Sequence, residues 1–201
     1  MLKVKPPAKS VGGKPTKRNY EKSKGETMRR ALLLLLLIPL FVGAQETKKP
    51  DVWSPVKYFV GTWKGTGKGE PGTSTVERSY QLILNSKFIQ INHKSIYAPQ
   101  EKRPKGETHE DIGFLSYDRG RKAFILRQFH VEGFVNQFKG DISEDGKLMV
   151  FTSESIENIP AGYKARETYK ILNKNEFTET FELAEPGKDF AVYSENHFKR
   201  Q

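Results

Sequence analysis

From residue 61 onward the chain alternates apolar and polar positions with a period of two, broken at short intervals by Gly, Pro, Asn and Asp clusters. The pattern predicts ten strands: 61–69, 73–84, 87–97, 107–117, 122–130, 133–141, 147–157, 163–172, 176–183 and 189–199. Most joins are tight turns, such as Glu70-Pro71-Gly72 and Glu144-Asp145-Gly146; the longest loop is 98–106. No helix-period segment of useful length interrupts the run. Consecutive strands joined by turns form an antiparallel meander, and so wide a sheet closes on itself. The expected fold is therefore all-β, an up-and-down antiparallel barrel of about ten strands. Residues 53–60, with Trp53, Val56 and Val60 at helical spacing, predict a short helical turn that serves as a lid.

The first strand has its own signature. In Gly61-Thr62-Trp63-Lys64-Gly65-Thr66-Gly67-Lys68-Gly69 every second residue is Gly or Trp, so one face carries almost no side chains. Such a face suits a bent strand, or close approach by another backbone or a flat ligand. Elsewhere, charges recur inside apolar stripes. Arg78 lies among Val76, Tyr80 and Leu82, Arg127 between Ile125 and Phe129, Glu167 among Ala165 and Tyr169, and Glu179 among Phe177 and Phe181. A solid apolar core does not tolerate unpaired charge. These stripes imply a wet cavity, internal ion pairs of Arg78 or Arg127 with Glu167 or Glu179, or faces turned to solvent.

Upstream, the pattern changes. Residues 1–27 are polar and basic without periodicity, which predicts a disordered extension. Met28-Arg29-Arg30, the apolar run to Phe41 and Val42-Gly43-Ala44 follow the order of a secretory signal peptide, with cleavage near Ala44. The expectation is a periplasmic or secreted product with no stable membrane span after cleavage; residues 45–58 are its lead-in and lid, 59–201 its barrel. The net charge of +10 is concentrated upstream: residues 1–44 carry 10 Lys and Arg against 2 Asp and Glu, and the remainder 24 against 22. A near-neutral barrel argues against nucleic acid as a partner; a closed barrel of this size encloses packed side chains or a cavity, and the expected partner is a small-molecule ligand. The chain has no cysteine, which removes disulfides and thiolate chemistry. Oligomeric state has no sequence signal.

Four histidines fall in the barrel region: His93, His109, His130 and His197. His109 and Asp111 share a strand face and, with His130, form a candidate metal set, although no spacing motif supports it. No nucleophile-elbow motif is present. His197, on the last strand, is a candidate axial ligand if it points inward.

Several pieces together resemble the nitrobindin-type haem-binding β-barrel family, a lipocalin-like group. They are the glycine-alternating first strand with Trp63, Gly65 and Gly67; the strand His109-Glu110-Asp111-Ile112-Gly113-Phe114, with Asp111 where that family carries Glu; and the hairpin through Gln128, Gly133, Val135 and Gly140. The resemblance covers roughly residues 59–200. It implies haem b bound near one barrel opening, with His197 as proximal iron ligand and Trp63, Gly65, Gly67, His109, Phe114 and His130 around the cofactor. It also implies reversible nitric oxide binding and, at most, peroxynitrite-isomerase-like activity. The alternative is a haem-free, lipocalin-like carrier of an apolar or anionic molecule, with Arg78, Tyr80 and Arg127 as its clamp.

Overall fold

The computed structural model describes residues 51–101 and 103–201. The extension and signal peptide expected over 1–44 lie outside the described residues. The strands are β1 (Gly61–Gly69), β2 (Ser74–Ile83), β3 (Phe88–Tyr97), β4 (Glu107–Asp118), β5 (Ala123–His130), β6 (Val135–Ile142), β7 (Leu148–Glu157), β8 (Lys164–Asn173), β9 (Glu176–Ala184) and β10 (Ala191–Arg200). Each pairs antiparallel with its chain neighbours, and β1 pairs with β10 to close the barrel. Closure leaves no unpaired sheet edge. Among the described residues, no helix is long and apolar enough to cross a membrane.

The barrel interior divides into two halves. One end is plugged by apolar side chains. A single 3₁₀ turn, Lys57–Phe59, precedes β1 and drives Val56 and Phe59 into the lumen, with Trp53 beside them. Phe59 takes the inward place that helical spacing gave to Val60, because the turn is 3₁₀ rather than α. Trp63 is fully buried and donates its indole N–H to the Phe59 carbonyl at 2.7 Å. Phe177 stacks on Phe198 at 4.7 Å and meets Trp63 edge-on at 4.8 Å. The glycine face of β1 makes room for this cluster: β10 crosses so close that a Cβ on Gly65 would lie 1.8 Å from the His197 carbonyl oxygen. The 53–60 segment is thus a plug, at the end opposite the opening.

The other half is hollow. Its mouth is formed by the β1–β2, β3–β4, β5–β6 and β7–β8 connections, through Pro71, Arg103, Glu132 and Pro160.

Strand parity sorts the charged stripes. Arg78, Glu167 and Glu179 point inward and are buried. On β5 the expected face is reversed: Phe124, Leu126 and Gln128 are buried while Arg127 and Phe129 are exposed. Phe114 lies outward on β4, in edge contact with Phe129 across the outer surface.

Candidate functional site

The hollow half is a cavity of about 450 Å³, within the range of small-ligand sites. Its floor is a polar layer that separates it from the apolar plug. Arg78, on β2, places its guanidinium 3.0 Å from Glu179 Oε1 of β9 and donates through Nε to His93 Nδ1 of β3 at 2.9 Å. The guanidinium also lies 4.9 Å from the Phe198 ring centroid. His93 Nε2 meets Ser95 Oγ at 2.8 Å, so both its ring nitrogens are engaged. Burial, reinforced by the Arg78 charge, pushes His93 down to about 4, so it is neutral at physiological pH. Asn196 of β10 donates to Glu179 Oε2 at 3.0 Å. Burial opposes ionisation of Glu179, but the Arg78 charge outweighs it and the carboxyl stays below its usual value.

Glu167 behaves in the opposite way. It accepts from Tyr169 Oη at 2.5 Å and has no cation of its own. Burial, then the Glu179 charge, pushes it up to about 8. The floor thus holds one ionised and one protonated carboxyl side by side. This fixes a sign for stability against pH. A carboxyl whose folded pKa is raised stabilises the fold below its unfolded value, near 4.3, and that contribution is lost as pH rises towards 8. Stability should fall across that window by at most about 1.4 kcal/mol per pH unit. Glu167→Gln, neutral at every pH, should remove the decline. Urea denaturation of both proteins at pH 5 and pH 8 checks this; parallel pH dependence would exclude it.

One wall of the cavity carries the remaining imidazoles. His109 and Asp111 occupy successive inward positions on β4, and His130 of β5 lies directly opposite Asp111 in the strand register. His109 Nδ1 meets Glu132 Oε1 at 2.8 Å, and its Nε2 lies 3.7 Å from Asp111 Oδ2. The Asp111 contact, with help from Glu132, raises the His109 pKa against the effect of burial. Burial pushes His130 the other way and favours its neutral form. Burial also opposes the Asp111 charge, but His109, His93 and Arg78 hold its carboxyl well below the usual range. His130 stacks on Phe134 at 4.1 Å, and its Nε2 lies 3.2 Å from Asn136 Nδ2. Four buried polar atoms around this wall have no hydrogen-bond partner: Asp111 Oδ1, Gln128 Oε1, His130 Nδ1 and Asn136 Oδ1. Apolar side chains complete the lining, among them Phe134, Ile156, Phe181 and Leu183.

The structure brings together only part of the set picked from sequence. His109, His130 and Arg78 line the cavity. Tyr80 points inward but lies in the apolar plug, below the floor. Trp63 is likewise in the plug. Gly65 and Gly67 face β10, and a Cβ on Gly67 would meet Asn196 Oδ1 at 2.4 Å. Arg127 and Phe114 lie outside the wall, for the parity reason given above. His197 is outside as well: Phe198 takes the inward place on β10, and His197 meets Glu176 Oε2 at 3.2 Å on the outer surface. Lining residues that the chosen set lacked include His93, Gln128, Asn136, Glu167, Glu179 and Asn196. Strict alternation from buried neighbours would have found His93, two places from Ile91, and Asn196, two from Phe198.

Residues 52–200 match the family model described as "THAP4-like, heme-binding beta-barrel domain". No curated protein matches the chain. Among solved structures, Rv2717c from M. tuberculosis superposes with a TM-score of 0.60 at 18% identity, over 75% of this chain and 97% of that one. That similarity concerns the fold. A de novo designed fluorescence-activating β-barrel also matches, at a TM-score of 0.39 and 14% identity, over 72% of this chain and 95% of that one.

Proposed function

Because the chain belongs to the THAP4-like, haem-binding β-barrel family, we propose that its hollow half takes haem b, with His130 as axial ligand in place of His197. The observation that carries this reading is the unpartnered Nδ1 of His130, a buried imidazole nitrogen inside a cavity of about 450 Å³. The residues present fit the group. Burial keeps His130 neutral, which iron ligation requires, and Phe134 fixes the ring plane by stacking. Phe181, Leu183 and Ile156 offer an apolar face to a flat ligand. When bound, the haem would supply an iron position for nitric oxide or peroxynitrite, as the resemblance to nitrobindins implies.

The chain's own residues do the rest. Phe181, Leu183 and Ile156 offer water no hydrogen-bonding group in their part of the cavity. Phe134, stacked on its ring, and Asn136, at its Nε2, hold His130 in orientation. Arg78 is committed to Glu179, so the floor presents a compensated ion pair rather than a free cation to any ligand.

Titration of the haem-free protein with hemin tests the reading. A saturable Soret band is expected. His130→Ala should weaken hemin binding about tenfold or more and change the band position, while His197→Ala should leave both unchanged. Absence of saturable binding would remove the haem reading and leave the haem-free carrier. Loss of the band in His197→Ala alone would return the axial role to the C-terminal strand.

A further inference from the structure

The three donors on the β4–β5 wall form an arrangement that a porphyrin does not need. His109 and Asp111 are two residues apart on one strand face, and His130 is the cross-strand partner of Asp111. Sheet geometry alone therefore converges two imidazoles and a carboxylate on one point. One ligand atom from each of the three lies within 4.8 Å of the others. A tetrahedral ion with bonds of about 2.0–2.2 Å needs its donors roughly 3.4 Å apart. Small side-chain rotations, with no shift of the strands, cover the difference.

An ion pair between His109 and Asp111 accounts for part of this cluster but leaves two atoms unexplained. Asp111 is more than nine-tenths buried, yet its Oδ1 has no partner, and neither has His130 Nδ1. Buried polar atoms are almost always satisfied, and a bound ion is one of the few reasons for exceptions. We propose that, in the absence of porphyrin, His109, Asp111 and His130 bind one first-row divalent cation, which would satisfy both atoms. The metal site does not rest on the haem reading; it uses the same imidazole and so makes cation and haem alternative occupants.

The outer contacts suit this role. Glu132 engages His109 Nδ1 at 2.8 Å, which puts the ring proton there and leaves the Nε2 lone pair facing Asp111. On His130, Asn136 stands at Nε2 with its own Oδ1 unpartnered. Turning that amide over lets Oδ1 accept from an Nε2–H and leaves Nδ1 bare for the metal. Two imidazoles and one carboxylate, with the remaining positions open to a cavity, suit Zn²⁺, Fe²⁺ or Co²⁺ rather than Ca²⁺ or Mg²⁺. The nearby Arg78 charge would oppose a cation, but Glu179 neutralises it at 3.0 Å.

The test is a Co²⁺ titration of the full chain after chelation and removal of any haem, followed by visible absorption. One equivalent should give a saturable d–d spectrum that Zn²⁺ bleaches. Asp111→Asn and His130→Gln should each weaken Co²⁺ binding by far more than tenfold. Glu132→Gln, at a half-exposed position that does not threaten folding, should weaken it about tenfold. His197→Gln should change nothing. No saturable spectrum, or equal affinity in Asp111→Asn, His130→Gln and Glu132→Gln, would overturn the site. Hemin titration of the same preparations separates the two readings. Hemin binding without Co²⁺ binding removes the metal site alone, Co²⁺ binding without hemin removes the haem reading alone, and mutual exclusion supports both.

Discussion

Replacing Arg78 with leucine is expected to lower stability by about 3–5 kcal/mol, the range for breaking a fully buried ion pair by removing one partner. Both members are almost wholly enclosed, with side-chain exposures of 4% and 4%, so solvent does not screen the loss. Leucine would leave the Glu179 carboxylate facing His93 and the Phe198 ring with only Asn196 as donor, and would take the donor from His93 Nδ1. Two further results separate this cause from simple loss of packing. First, without Arg78 the folded pKa of Glu179 should rise above its ordinary value, so the variant should lose less stability at pH 5 than at pH 8. Second, a double variant, Arg78→Leu with Glu179→Leu, should recover most of the loss, since a buried pair exchanged for apolar groups is often near neutral. Urea denaturation of the four proteins gives the coupling directly. A double variant as unstable as the sum of the two singles would mean that shape, not charge, is what the pair contributes.

That ion pair was legible in the sequence as a possibility, and the reason it was not more than that is general. A charge inside an apolar stripe marks either an inward pair or a strand read on the wrong face, and alternation on one strand does not decide between them. On β2, Val76, Tyr80 and Leu82 are inward with Arg78. On β5 the same kind of triplet, Ile125, Arg127 and Phe129, alternates away from the lumen, with Arg127 and Phe129 exposed and Ile125 covered, because Phe124 and Leu126 carry the core. The ten strands and their turns were legible to within a residue or two, since Gly, Pro and Asn-rich turns set them without reference to any tertiary contact. The site was less so. His197 and Phe198 are adjacent, so only one can enter the lumen. Stacking on Phe177 takes the phenyl ring inward, and Glu195, His197 and Lys199 form a polar outer row. A register shift between Val192 and Ser194 hides that row from a simple count along β10. The convergence of His109, Asp111 and His130 depends on cross-strand register, which the sequence of one strand does not contain.

Gly65→Ala is expected to damage the barrel more than any single methyl group should. The added Cβ would lie 1.8 Å from the His197 carbonyl oxygen, 2.8 Å from its carbon and 3.1 Å from Phe198 Cα. These are backbone atoms of a paired strand, so no rotamer change relieves the clash, and β10 itself has to move. Overpacking of side chains typically costs about 1–3 kcal/mol; a clash against backbone should reach or exceed the upper end. Gly146 supplies the contrast. It sits in the β6–β7 turn at φ +68° with nothing within 4 Å of its Cβ position, so Gly146→Ala meets only backbone strain, about 1 kcal/mol. Equal losses in the two variants would show that β10 yields without cost. The larger loss at Gly65 has a further consequence, because the β1–β10 pairing is the one seam that joins the two ends of the meander. Pushing β10 away exposes two strand edges at once, so Gly65→Ala should lose solubility as well as stability, and light scattering at matched concentration should separate it from Gly146→Ala.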